Sequence, residues 1–354
     1  MAAPIPDQTS ISGDTLQRAL AQGVLTLQQV EMLRYLENTA TGLPAAAPSD
    51  DEKFRFINGF GDIFVTIGIA LFLGALSYFA VEGIGGAGAG FTVAMASWLL
   101  AEYFTRKRRM ALPSIVLLLV YAASVFSGTL IVMAGTEAFN FSAAAKDSWP
   151  VVIAGLITIA ATALHYRRFR IPITFAAGVA ALVASVLALV IAIAPDFAEN
   201  YLRPVLLVCG IAVFALAMRF DLSDPQRLTR RTDIAFWLHM LAAPLVVHPL
   251  ISGLVASGNL NAATSLGVLA IFIGLAVVAV LVDRRAVLVS GLSYAGIAFG
   301  SLVRQIGLGE VMVPLTLLVL GALVLLLSAG WHALRRRLFA LLPAALVHRL
   351  PAHT

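Results

Sequence analysis

Ile171–Ala194 reads IPITFAAGVAALVASVLALVIAIA, and no residue in it is charged. About 20 apolar residues in a helix, rising 1.5 Å each, cover the roughly 30 Å hydrocarbon layer of a bilayer. The flanks add a direction. Arg167, Arg168 and Arg170 stand before the run, and Asp196 and Glu199 stand after it. Basic residues stay with the cytoplasmic end of a span, so this run reads as a transmembrane helix that starts on the cytoplasmic side.

Outward from it, about ten runs meet the same length criterion. Their limits are Gly61–Ala80, Gly86–Phe104, Ala111–Ala134, Trp149–His165, Ile171–Ala194, Tyr201–Phe220, Asp233–Ala256, Ala262–Val282, Ala286–Val303 and Val311–Trp331. Alternate loops carry Arg106–Arg109, then Arg167, Arg168 and Arg170, then Arg219, Arg227, Arg230 and Arg231, then Arg284 and Arg285; Arg335–Arg337 follow the last run. The opposite loops hold Glu82, Glu137, Asp147, Asp196, Glu199 and Glu310, with only Lys146, Arg203 and Arg304 among them. An even number of crossings with both termini in the cytoplasm keeps the two sets apart. Pro113, Pro150, Pro172, Pro204 and Pro314 are expected in first helical turns, where a missing N–H costs little. Trp149 and Trp331 are expected at the membrane interface.

Composition agrees. Of 354 residues, 60% are hydrophobic and 12% charged, and the mean hydropathy is +0.92. A soluble domain is roughly 45–50% apolar and about 25% charged. A soluble enzyme, a disordered chain and a disulfide scaffold are excluded. The net charge of +5 would point to nucleic acid in a soluble chain. Here it is topological, and no nucleic-acid partner is expected. The one cysteine, Cys209, lies in an apolar run and reads as structural. With carboxylates and thiols this scarce, neither a metal site nor a cofactor is expected. Residues 1–50 lack a basic segment followed by an apolar core, so the N-terminus is expected to be retained.

The fold class is therefore all-α, a polytopic bundle. Residues 1–38 read as a cytoplasmic helical hairpin, Asp14–Gln22 followed by Leu27–Glu37. Gly23 suits the position after a helix end, and Thr26 with Gln29 has capping-box spacing. Leu16, Leu20, Val30 and Leu33 are spaced to share a face. Residues 39–60 read as linker and juxtamembrane segment, 61–333 as the transmembrane domain and 334–354 as an amphipathic tail. In the tail, Leu338, Leu341, Leu342 and Leu346 fall on one face beside Arg335–Arg337, with Pro343 as a kink. Burial of that face and anionic lipid would hold the tail to the leaflet; an extension of the last span is the other reading. So small a hairpin is expected to dock on the membrane domain, a protein partner or a second copy.

Landmarks recur along the chain. Asp62-Ile63 opens the first run and Asp233-Ile234 the seventh. Arg108-Arg109 follows the second and Arg284-Arg285 the eighth, while His165 and His332 adjoin the basic ends of the fourth and tenth. The spacing reads as two parallel four-helix repeats flanking a central pair. A serial bundle without repeats is the alternative.

The hairpin LQRALAQGVLTLQQVEML, the juxtamembrane FRFINGFGDIFVTIG and the tail LRRRLFALLPAAL together resemble uncharacterised bacterial multi-pass inner-membrane proteins of the family called domain of unknown function 2157. The run DIAFWLHMLAAPLVVHPL is similar to related membrane proteins. The resemblance implies a bacterial inner membrane and transfers no functional residue.

The seventh run is where chemistry is expected. His239, Pro244, His248 and Pro249 lie in one apolar stretch. Pro244 deprives the Met240 carbonyl of its helical partner and Pro249 that of Leu245. Broken helices at membrane depth are found where protein or water satisfies the backbone, often at transport sites. The expectation is a bent or opened helix whose freed carbonyls face a polar crevice with His239 or His248. Ordinary His–Pro packing is the bland alternative. The two histidines are nine positions apart, on opposite faces of a regular helix, so they make no metal pair. Asp62 and Asp233, at span starts, read as helix-dipole partners or as paired ion-coupling carboxylates. Glu102 and Arg106 pair at i,i+4, and His165 and His332 are expected at the interface. Gly83–Gly90 (GIGGAGAG) reads as a tight turn with close helix packing. No G-x-S-x-G, H-E-x-x-H or Walker sequence is present, so no catalytic residue is assigned and an enzyme is not expected. The first functional reading is a small-solute transporter or permease, proton-linked through histidine. The second is a structural or regulatory membrane protein acting through its hairpin and tail. A lipid-modifying enzyme is the third.

Overall fold

The computed structural model describes residues 13–40, 60–136, 147–224, 229–255 and 261–341. Helix accounts for 91% of it and no strand occurs among the described residues, so the all-α class holds. The chain divides into two compact units, residues 1–53 and 54–353.

In the first unit, α1 (Gly13–Ala21) and α2 (Leu27–Ala40) form the hairpin. Gly23 has φ +69°, a conformation in which a side chain would clash with its own backbone. The capping box is reciprocal. Gln29 Oε1 accepts from the Thr26 N–H at 2.8 Å, and Thr26 Oγ1 accepts from the Gln29 N–H at 3.3 Å. Helix α2 includes Thr39 and Ala40, which the sequence reading placed in the linker. Residues 41–59 lie outside the described residues, and Phe60, also placed in that linker, is the first residue of the next helix.

The second unit holds nine helices among its described residues: α3 (Phe60–Ala101, extended by a π-helical turn Glu102–Lys107), α4 (Ala111–Ala134), α5 (Trp149–Phe169), α6 (Pro172–Ile193), α7 (Pro195–Leu222), α8 (Arg230–Val255), α9 (Ala262–Val282), α10 (Ala286–Gln305) and α11 (Met312–Leu341). Eight are long and apolar enough to cross a membrane. The first of these, Phe60–Lys107, contains two of the runs read from the sequence and is broken at Gly85 (φ 75°, ψ 170°). On a straight helix Ile69 and Ala101 would stand about 48 Å apart. Instead Ile69 and Leu73 share one buried cluster with Val93, Ala101 and Leu117, so the chain doubles back at Gly85. Five residues on, a side chain at Gly90 would lie 2.7 Å from the Gly128 Cα, so α3 and α4 meet backbone to backbone. The glycine run thus supplies both a turn and a close contact.

Neighbouring helices pair as hairpins, α3 with α4, α5 with α6, α7 with α8, and α9 with α10. Helix α8 also packs on α6, α9 and α10, which makes it central. Its buried face mixes small residues, Ala235, Ala242 and Ala243, with Ile234, Leu238, Val247 and Ile251; Ala242 clusters with Ala176 and Ala217, and Val247 and Ile251 with Ala298. In lipid, helices associate by close van der Waals packing rather than by apolar burial, and small residues allow the approach. Large apolar side chains point outward instead, including Phe64, Leu71 and Phe79 on α3 and Leu317, Leu325 and Leu326 on α11. A surface of that kind suits hydrocarbon.

The basic segments meet at one end. Glu102 at the end of α3 binds Arg168 at the end of α5. Asp221 at the end of α7 binds Arg284 in the α9–α10 turn, and Asp283 beside it binds Arg335 of α11.

Several expectations need correction. Pro204 lies inside α7, because α6 ends at Ile193 and α7 begins at Pro195, before the expected start at Tyr201. Trp331 is fully buried, with its indole N–H bonded to Asp283, rather than interfacial; Trp149 is half exposed. His165 is also buried, among the rings of Trp98, Tyr121 and Phe169, whereas its proposed counterpart His332 is exposed. The tail residues Leu334–Leu341 continue α11 without a break. Leu342, Pro343 and Leu346 lie outside the described residues.

Candidate functional site

Asp221 sits in the last turn of α7, where the helix dipole disfavours a carboxylate. Only strong partners hold it there. His239, on the buried face of α8, places Nε2 2.9 Å from Asp221 Oδ2. Arg284 donates from Nε to the same oxygen at 3.1 Å and from its terminal nitrogen to Oδ1, a two-pronged grip on the carboxylate. Asp221, His239 and Arg284 are 4%, 0% and 3% exposed, so the cluster is sealed. The Phe214 ring closes one side, edge-on to the imidazole at 5.2 Å.

The turn that supplies Arg284 carries a second set. Asp283 caps α9 in the left-handed conformation, φ 60°, which turns its carboxylate towards α11. There Oδ1 accepts from Trp331 Nε1 at 2.7 Å, and Oδ2 lies 3.4 Å from Arg335. The Arg285 guanidinium lies over the Trp331 ring at 5.1 Å, and that of Arg335 over Phe339 at 5.2 Å. Adjacent residues of one turn, Asp283 and Arg284, therefore tie α7, α8 and α11 together.

The residues singled out in the sequence fall in different places. His239 belongs to the cluster; His248 does not. It is exposed, and its Nδ1 bonds the Tyr294 hydroxyl of α10. Helix α8 runs without interruption through Pro244 and Pro249. The carbonyl that Pro249 leaves without a helical partner, that of Leu245, is covered by Gly210 of α7. A Cβ at Gly210 would lie 2.8 Å from that oxygen, so only glycine allows the approach, and its Cα–H faces the carbonyl. Asp62 is buried in the first turn of α3, and Thr66 Oγ1 donates to its carbonyl at 2.7 Å. Asp233 occupies the first turn of α8 and lines a cavity with Arg230. Glu102 pairs with Arg106 at 3.3 Å as the spacing implied, and with Arg168 at 2.6 Å.

Asp221 and Arg284 were missed as a site. Arg284 was read only as a topological charge. The available signal was Asp221 itself, an acidic residue at the basic end of a span. Among the described residues no three His, Cys, Asp or Glu side chains gather as a metal would require. No family model, curated protein or solved structure matches the chain.

Proposed function

We propose that this integral membrane protein carries a small solute across a bacterial inner membrane, with the Asp221–His239–Arg284 cluster as its gate. The observation that carries this reading is the burial of three ionisable groups together, at the end of membrane-spanning helices. Ionisable groups are expensive there and mark pathways more often than scaffolding. The carboxylate is shared between two donors, so a shift of the α9–α10 turn that withdraws Arg284 leaves His239 holding Asp221 alone. Imidazole exchanges protons near neutral pH, which supplies the link to a proton gradient. The basic end of the bundle is cytoplasmic in this reading, and both termini with it. The break at Gly85 and the 20-residue α10 support ten crossings, arranged as two parallel four-helix repeats about a central pair. Exposed Arg336 and Arg337 would meet anionic lipid, and the hairpin a protein partner or second copy.

Purified protein in proteoliposomes, screened against small solutes under an imposed pH gradient, tests the reading. Flux that disappears in Asp221→Asn and loses its pH dependence in His239→Gln is the expected result. Monodisperse protein that moves nothing under any gradient overturns it. A second reading, a non-transporting structural or regulatory protein, is favoured by the complete burial of His239 and by the Trp331–Asp283 lock beside it. It then becomes the better account.

A further inference from the structure

Two turns at the basic end share one conformation. Arg109, between α3 and α4, has φ 54°, and Arg170, between α5 and α6, has φ 55°. Each is followed by an extended apolar residue, Met110 (φ −78°, ψ 128°) or Ile171 (φ −82°, ψ 128°), and then by a helix. Glycine is the residue that adopts left-handed φ without strain; a non-glycine pays about 1–2 kcal/mol. Both positions carry arginine, and both arginines line the same cavity.

That cavity, of about 260 Å³, lies where α4, α6 and α8 begin. Arg109 and Arg170 are joined in it by Arg230 and Asp233 of α8, with Trp237 as part of its wall. Its lining thus holds three cationic residues to one acidic residue, an excess of two positive charges. The N-caps of α4 and α6, Met110 and Ile171, offer no side-chain cap. The positive ends of those helices therefore add to the same field. Thr105, also in the lining, has a buried hydroxyl with no hydrogen-bond partner.

We propose that this cavity binds a phosphate-bearing ligand, held by the guanidiniums of Arg109, Arg170 and Arg230. A fork of guanidinium donors matches phosphate oxygens. The Asp233 carboxylate limits the negative charge the site tolerates. The ligand chemistry has two sources, a lipid headgroup entering from the leaflet or a free phosphate from the aqueous side. The proposal is independent of transport and of the Asp221 cluster.

The test uses the full chain in detergent, and its thermal midpoint is followed while ligand is titrated at constant ionic strength. The probes are inorganic phosphate, dioctanoyl phosphatidate and dioctanoyl phosphatidylcholine. Arg109→Gly and Arg170→Gly are the informative variants, because glycine suits the left-handed backbone while the guanidinium is lost. Expected are a midpoint of the unliganded variants equal to or above that of the wild type, and phosphate affinity weakened about tenfold or more per arginine. Arg219→Gln, outside the cavity, should bind as the wild type does. A response to inorganic phosphate assigns a free-phosphate source, and a response to phosphatidate alone assigns a lipid headgroup; both support the site. No response to either probe, an equal response to phosphatidylcholine, or an undiminished response in both glycine variants overturns it.

Discussion

Asp221 shows at residue scale why pairing, rather than charge, decides what a buried group does. Removing one partner of a buried ion pair leaves the other uncompensated, at about 3–5 kcal/mol. Asp221→Asn and Arg284→Met should each destabilise the protein by about that much, read as a lowered midpoint in detergent. The double variant Asp221→Leu with Arg284→Met should recover much of the loss, since apolar replacements leave no orphan charge. A double variant no more stable than either single one would show that the pair is not acting as a unit. Gly210 is the other residue whose identity follows from a contact. Gly210→Val forces its side chain into the Leu245 carbonyl and should cost about 1–3 kcal/mol in a thermal unfolding measurement. The sequence held the proline that frees this carbonyl. It held no sign of the glycine that covers it, because Gly210 is on another helix.

Among the elements, the 42-residue α3 depends on one backbone conformation. At φ 75° and ψ 170°, Gly85 occupies a region open essentially to glycine alone. Gly85→Ala should cost about 1–3 kcal/mol and lower the yield of monodisperse protein in size-exclusion chromatography. An unchanged yield and midpoint would mean that the reversal tolerates another geometry. The same reversal places the glycine run opposite the basic loops. In a Cys209→Ala background, a cysteine at Gly83 should therefore label with impermeant maleimide in intact cells, and one at Lys107 only after permeabilisation. The reverse pattern would invert the orientation. Both a turn and close packing were legible in GIGGAGAG, from glycine content alone. Which glycine turns and which one packs was not legible, since that depends on where α4 passes.

For the whole molecule, the two compact units make a direct expectation. Deleting residues 1–53 should leave membrane insertion intact and shift the thermal midpoint by no more than a few degrees. A bundle that fails to accumulate without them would show that the hairpin is part of its stability. The proposed repeats belong to this scale as well. Superposing the first four and last four crossings about the membrane normal should bring Asp62 onto Asp233. His165 is buried and His332 exposed, so this pair of landmarks does not share its surroundings.

What the sequence determined by itself was the apolar solvent, the helical class and the separation of basic from acidic loops along the chain. Each follows from local composition, because the cost of placing a residue in hydrocarbon depends mainly on that residue and its immediate helix. The hairpin was legible for the same reason, its cap and its glycine being local signals. Only the tertiary structure decided that Asp221 meets Arg284, that Trp331 is a buried donor, and that Arg109, Arg170 and Arg230 share a cavity. Those partners come from separate helices and turns. Their meeting is set by which small residues let the helices approach, and a linear pattern of apolar runs does not encode that choice.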